Sequence, residues 1–323
     1  MKVPHKIIAI IIEMNKKNIA LILSATISLT CSAQQLATDK VIENIYQSLP
    51  YNISLDKKIS LISAEFIGHP YILGALGEGI KGSYDQSPLY RTDGFDCTTY
   101  VSTVLGIGIA SNVKDFKKRI INIQYKNNRA RYLDRNHFIS LDWNKNNIRK
   151  GYIQDITPNI INSMNKPIFE IAQTNINKKG WLQHKTIDDI KIANKLVRKN
   201  RLNNLYRNAN KYPIQTTTTK YLPLAKMYNE KGKPDSFIFK QIPNGSILEI
   251  VRPNWNLKNK IGTNLNISHM GFALRKNNKL YFRHASDSAK KIVDSPLAIY
   301  LSQFINSPTV KGIAIFMPQK TTF

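Results

Sequence analysis

The chain has almost no cysteine: Cys31 and Cys97 are the only two in 323 residues. That excludes a disulfide-stapled scaffold. There is no H-E-x-x-H or C-x-x-C spacing to hold a metal. Acidic residues are scarce, 21 against 47 lysines and arginines, for a formal charge of +26. Internal repeats are absent, and the only low-complexity stretch is Thr216 to Thr219, too short for a domain linker. The apolar run from Ile19 to Leu29 is too short to span a membrane. The glycine-rich loop Gly74 to Gly79 lacks a following Lys-Ser/Thr, so it is not a nucleotide-binding P-loop.

What is present begins with an export signal. Lys16 and Lys17 precede the apolar run, and Cys31, Ser32 and Ala33 form a small-residue cleavage site. Residues 1–33 are therefore expected to be a signal peptide, with the mature chain periplasmic or secreted. A lipoprotein anchor on Cys31 is the weaker alternative, because Ser28-Leu29-Thr30 fits poorly. Cleavage removes four lysines and one glutamate, taking the charge from +26 to +23. In an exported protein this charge suits anionic envelope polymers or acidic peptides rather than nucleic acid. No stable membrane insertion is expected after cleavage.

Residues 34–323 read as a single domain. Leu55, Ile59, Ile62 and Phe66 share a helical face, with Gly68 as a stop. A second helix is expected over 97–110, from the spacing of Tyr100, Val101, Val104 and Leu105, with Asp96 as its cap. The region 111–235 is mixed and basic, with helical character near 114–121 and 186–206. Short apolar strands are expected at 246–251, 267–274, 279–283 and 312–316. Ser295-Pro296 reads as the capped start of a helix over 297–305. Helices first and strands later predict an α+β fold.

After signal cleavage Cys97 would be the lone thiol of an exported protein, in the run Gly94 to Tyr100. Its structural alternative is an inert core cysteine. At a helix start its pKa would be lowered, and the helix end would help stabilise an oxyanion. A base and an orienting group are still needed. His269 and His284 lie on neighbouring expected strands joined by a turn near 276–278. A two-residue loop puts both on one sheet face; a three-residue loop separates them. A zinc set from His137, His269, His284 and a carboxylate is a weak alternative, and no cofactor is expected.

The ordered blocks Gly77-Glu78-Gly79, Pro88-Leu89-Tyr90-Arg91, Phe95 to Val101, Arg135 to Phe138 with Asp142-Trp143, Asp155-Ile156-Thr157, Ile267 to Gly271 and Arg283 to Ser286 carry a resemblance. With Val293-Asp294 and Pro296-Leu297, they resemble the N-acetylmuramoyl-L-alanine amidase-like family of the NlpC-type, papain-like cell-wall cysteine peptidases. The resemblance covers roughly 60–320. It implies a papain-like core, with the nucleophile at a helix N-terminus packed on an antiparallel sheet and a large insertion, about 111–235, between helix and sheet. It implies Cys97 as nucleophile, His269 as base and His284 as orienter. The reaction implied is hydrolysis of the amide between the lactyl group of N-acetylmuramic acid and L-alanine, in peptidoglycan or in (anhydro-)muropeptide fragments. Glu78, Tyr90, Arg91, Asp96 and Ser268 are the candidates to line the cleft, with Arg91 set to meet stem-peptide carboxylates. Asn136, His137 and Trp143 would hold the sugar or pin a loop. Two alternatives stand beside it: a stem-peptide endopeptidase of the NlpC type, and a non-catalytic basic peptidoglycan-binding module, for which Cys97→Ala would change nothing. Gly245-Ser246 and the proline-free stretch after Trp143 depart from the family pattern.

Overall fold

The computed structural model describes residues 34–320; the signal reading and Cys31 lie outside them. Four helices open the described chain: α1 over 34–48, α2 over Leu55–Ala64, α3 over Cys97–Ile109 and α4 over Val113–Gln124. Eight strands follow: β1 (Ile153–Asp155), β2 (Glu170–Ile176), β3 (Gln215–Pro223), β4 (Ile247–Leu257), β5 (Thr263–Lys276), β6 (Lys279–Ser286), β7 (Lys291–Pro296) and β8 (Gly312–Pro318). They form one sheet in the order β2-β3-β8-β4-β5-β6-β7, with β1 also pairing β8. Every strand pair is antiparallel. The molecule is thus mixed α+β with an antiparallel sheet.

Two apolar layers sandwich the sheet. One joins α1–α4 to the face bearing Ile247, Val251, Met270 and Phe272. The other places Leu297 and Leu301 against Leu248, Ile250, Ala273 and Phe282. Each fully buried side chain of this size contributes about 1.5–3 kcal/mol. Helix α3 is central: everything from Thr99 to Gly108 is buried, and Tyr100 meets Phe272 edge-on at 5.8 Å. Such a helix is apolar all round, because it has neighbours all round.

The middle region is mixed, as expected, and supplies strands that its sequence did not single out. It contributes β1, β2 and β3, which extend the sheet. Thr216 to Thr219 lie within β3, alternating exposed and buried; β-branched threonines suit a half-buried strand. The helix expected over 186–206 is two short 3-10 turns followed by the helix Arg198–Ala209. Among the described residues no helix is long and apolar enough to cross a membrane.

Candidate active site

Asp96 is extended and opens α3 with a reciprocal cap. Its Oδ1 accepts the Thr99 N–H at 2.8 Å, while Thr99 Oγ1 accepts the Asp96 N–H at 2.9 Å. Such a cap stabilises a helix start by about 0.5–2 kcal/mol. The other carboxylate oxygen accepts the Ala75 N–H at 3.2 Å, tying the glycine-rich loop to the same helix end. Cys97 is therefore the first residue of α3 and only partly exposed. The backbone amide of Met270 reaches its thiol, so the sulfur sits against β5 at the residue next to His269.

Strand β5 is distorted at that point. Ile250 pairs with His269, but the next β4 residue, Val251, pairs with Ile267. Ser268 is the extra residue, and its hydroxyl donates to Ile250 O at 3.4 Å. A bulge of this kind re-aims the side chains beside it. The β5–β6 hairpin turns through Asn277 and Asn278, at φ +47° and +61°, with Lys276 opposite Lys279. This two-residue turn, with both central residues left-handed, is the type that fits strand twist. In the resulting diagonal register His269 Nε2 and His284 Nδ1 lie 2.7 Å apart, on one face as the two-residue loop requires.

The pair is held closely. His284 stacks on Phe282 at 4.6 Å and packs beside Tyr300 at 5.2 Å. Its Nε2 faces Ser295 Oγ at 3.3 Å. Ser295 thus belongs to β7 and faces the histidine pair; the helix Leu297–Ser302 begins without a side-chain cap. Gly271 completes the arrangement. A Cβ there would lie 2.5 Å from Arg283 O, 2.7 Å from the Phe282 ring and 2.9 Å from His284 Cβ. Only glycine lets β6 come this near.

The proton pattern follows from the contacts. One imidazole of the pair must donate to the other. With Nε2–H of His269 donating to His284 Nδ1, His284 presents Nε2–H to Ser295, and His269 keeps a lone pair on Nδ1. Among the described residues no protein group hydrogen-bonds that Nδ1. Burial, then the neighbouring His284, pushes His269 down to about 3. Burial pushes His284 down to about 4, partly offset by Asp294. Burial, then the Asp96 carboxylate, pushes the Cys97 thiol up to about 12, while Thr98 and the Met270 amide pull weakly the other way. The helix end that sequence reasoning expects to lower this thiol is outweighed by the desolvation of a buried thiolate. At neutral pH the thiol and both imidazoles are uncharged.

The remaining sequence candidates fall in different places. Asp96 and Ser268 flank Cys97 and His269 as described. Glu78 is buried and accepts the backbone N–H groups of Tyr84, Asp85 and Tyr132 at 2.7–2.9 Å. The Tyr90 hydroxyl donates to Asp39 at 2.8 Å. Arg91 is forked onto Asp93 at 2.6 and 2.7 Å. Asn136 and Trp143 are buried, the first donating to Ile123 O and the second to Ser102 on α3, and His137 meets Tyr132 O at 2.8 Å. Asn136 and Trp143 pin the loop before β1 onto α4 and α3, while the His137 contact closes within that loop. Sequence reasoning missed Ser295, Tyr300 and Gly271 as parts of the histidine setting; Ser295 sat before a proline and read as a cap.

A family model described as N-acetylmuramoyl-L-alanine amidase-like matches residues 61–307. The chain belongs to that family. Family membership supports an amidase-like hydrolase directed at peptidoglycan. A Legionella pneumophila protein matched to the family model DUF1460 is 42% identical, with a TM-score of 0.86 over 89% of this chain and 96% of its own. A Bacteroides uniformis N-acetylmuramoyl-L-alanine amidase is similar at 24% identity and TM-score 0.56, over 82% of this chain and 99% of its own. A putative xylanase from Bacteroides fragilis is similar at 22% identity and TM-score 0.53, over 79% and 98%. The last two likenesses speak to the fold. No curated protein matches the chain.

Proposed function

We propose that the protein is an exported cysteine amidase of the papain-like NlpC type. It hydrolyses the amide between the lactyl carboxyl of N-acetylmuramic acid and L-alanine, in peptidoglycan or its muropeptide fragments. The reading is carried by one juxtaposition: a helix-starting Cys97 against the Met270 amide, one residue from a His269–His284 pair hydrogen-bonded at 2.7 Å. A nucleophile, a base and an orienter are the minimum set for covalent acyl transfer.

In this mechanism Cys97 attacks the lactyl carbonyl as Nδ1 of His269 takes the thiol proton. His284, a neutral acceptor, holds the imidazole by its Nε2–H. The carbonyl oxygen becomes an oxyanion beside the first turn of α3. Collapse breaks the C–N bond, and the imidazolium returns its proton to the departing alanine amine. A thioester between Cys97 and the lactyl group remains. Water, deprotonated by His269, then hydrolyses it and restores the thiol. The strongly basic surface suits an anionic wall polymer, and the export signal puts the enzyme where that polymer lies.

Product analysis tests the reading. Purified muropeptides, anhydro and non-anhydro, are incubated with the mature protein and with Cys97→Ala, and products are identified by mass spectrometry. Bare sugar and an intact stem peptide, made only when Cys97 is present, are expected. A sugar still carrying alanine would move the cut into the stem. Equal turnover by Cys97→Ala would remove the nucleophile.

A further inference from the structure

Strand β4 carries a second irregularity beside the histidine pair. Val251 pairs with Ile267, but the next paired β4 residue is Trp255, opposite Leu265. Residues 252–254 are therefore pushed out of the ladder. Asn254 is left-handed at φ +48°, and it is anchored through its N–H to Thr174 at 2.9 Å and its side chain to Asn264 at 2.6 Å. The bulge presents Arg252, whose guanidinium lies over the Trp255 ring at 4.2 Å.

The arginine lacks the partners that Arg91, Arg135, Arg275 and Arg283 have. Arg91, Arg135 and Arg283 each pair with an aspartate, and Arg275 donates to three main-chain carbonyls. Among the described residues Arg252 has no hydrogen bond or ion pair, and its Nε is buried without a partner. A buried donor without an acceptor costs about 1–3 kcal/mol. Its surroundings belong to the site: Arg252 is in electrostatic range of Tyr300, which is in range of Cys97 and packs on His284.

We infer that Arg252 is a specificity-determining residue of the cleft: braced on Trp255 by the β4 bulge and lacking an internal acid, its guanidinium binds a free carboxylate of the stem peptide. The inference rests on the amidase reading and names the group by which the departing peptide is recognised. Arginine suits the task, since its planar fork meets a carboxylate in two parallel hydrogen bonds. The stacked indole fixes the fork before substrate arrives. Arg91, the sequence candidate for this role, is already occupied by Asp93.

The test compares kcat/KM for the protein and for Arg252→Gln on muropeptide pairs differing only in amidation of one stem carboxylate, each carboxylate in turn. Amidating one of them is expected to cost the protein roughly 10- to 100-fold, chiefly in KM. Arg252→Gln is expected to lose about as much on the free acid, to ignore that amidation, and to be partly rescued in Arg252→Lys. Wild-type kcat/KM in Arg252→Gln, or undiminished sensitivity to amidation, would overturn the inference. Should folded protein turn over no muropeptide, the amidase reading falls, and calorimetric binding of free and amidated stem peptide to Cys97→Ala still decides. Tighter binding of the free acid, abolished by adding Arg252→Gln, supports the role; equal binding of the two peptides overturns it.

Discussion

At the scale of residues, the proposed triad is neutral rather than charged. A carboxylate orienter would stabilise an imidazolium through its charge. His284 offers only a lone pair, and its ring is itself buried. The thiol is pushed up to about 12 and His269 down to about 3, so in the proposed mechanism proton transfer accompanies attack instead of preceding it. Two pH consequences follow. A raised thiol pKa means thiolate forms only as pH rises. Alkylation of Cys97 by iodoacetamide should therefore climb about tenfold per pH unit through pH 6–9. A rate already flat from the mildly acidic range upward would point to a preformed ion pair. A lowered imidazole pKa keeps His269 unprotonated further into acid, so the acid limb of kcat/KM should fall below the ordinary histidine value of about 6.5.

At the scale of elements, the site is made by distortions in otherwise regular pieces. The α3 cap presents Cys97, the Ser268 bulge aims His269, and Gly271 lets β6 bring His284 close. Gly271→Ala should cost about 1–3 kcal/mol by overpacking, but its loss of activity should exceed that of Ile315→Ala, a core change on β8 away from the pair. Thermal unfolding and kcat measured on both check this; full activity in Gly271→Ala would contradict it. These elements also show what can be read from sequence. The α3 cap was legible because an Asp before an apolar helix is a local signal. The histidine pairing was legible because hairpin register depends only on loop length. The Asn277–Asn278 turn then fixed it. Strand β7 and the Ser295 contact were not legible. A short edge strand, Lys291–Pro296, buries only Ile292 fully, and its Ser-Pro ending imitates a helix start. The bulge at 252–254 was equally hidden, because it depends on which residues pair across β4 and β5.

At the scale of the whole molecule, one buried strut links the helical layer to the strands of the site. Arg283, 2% exposed, forks onto Asp294 at 2.7 and 2.9 Å and donates to Ser60 O and Ser63 on α2. It precedes His284 on β6, so its side chain points to the opposite face. The same strand thereby joins α2 on one side and orients His269 on the other. The middle region, through β1 and β3, is built into the sheet through β8, and Trp143 bonds it to α3. The helix that carries the thiol and the strands that carry the histidines are thus parts of one packed body, which covalent catalysis requires of its groups. The most direct test of the proposed Cys97 nucleophile is the mass of the intact protein after acid quench, early in its reaction with a muropeptide, followed by peptide mapping. A sugar-lactyl adduct, without amino acids, is expected on the peptide containing Cys97 and absent from Cys97→Ala. Turnover with no adduct on Cys97 at any time, or an adduct on another residue, would contradict it.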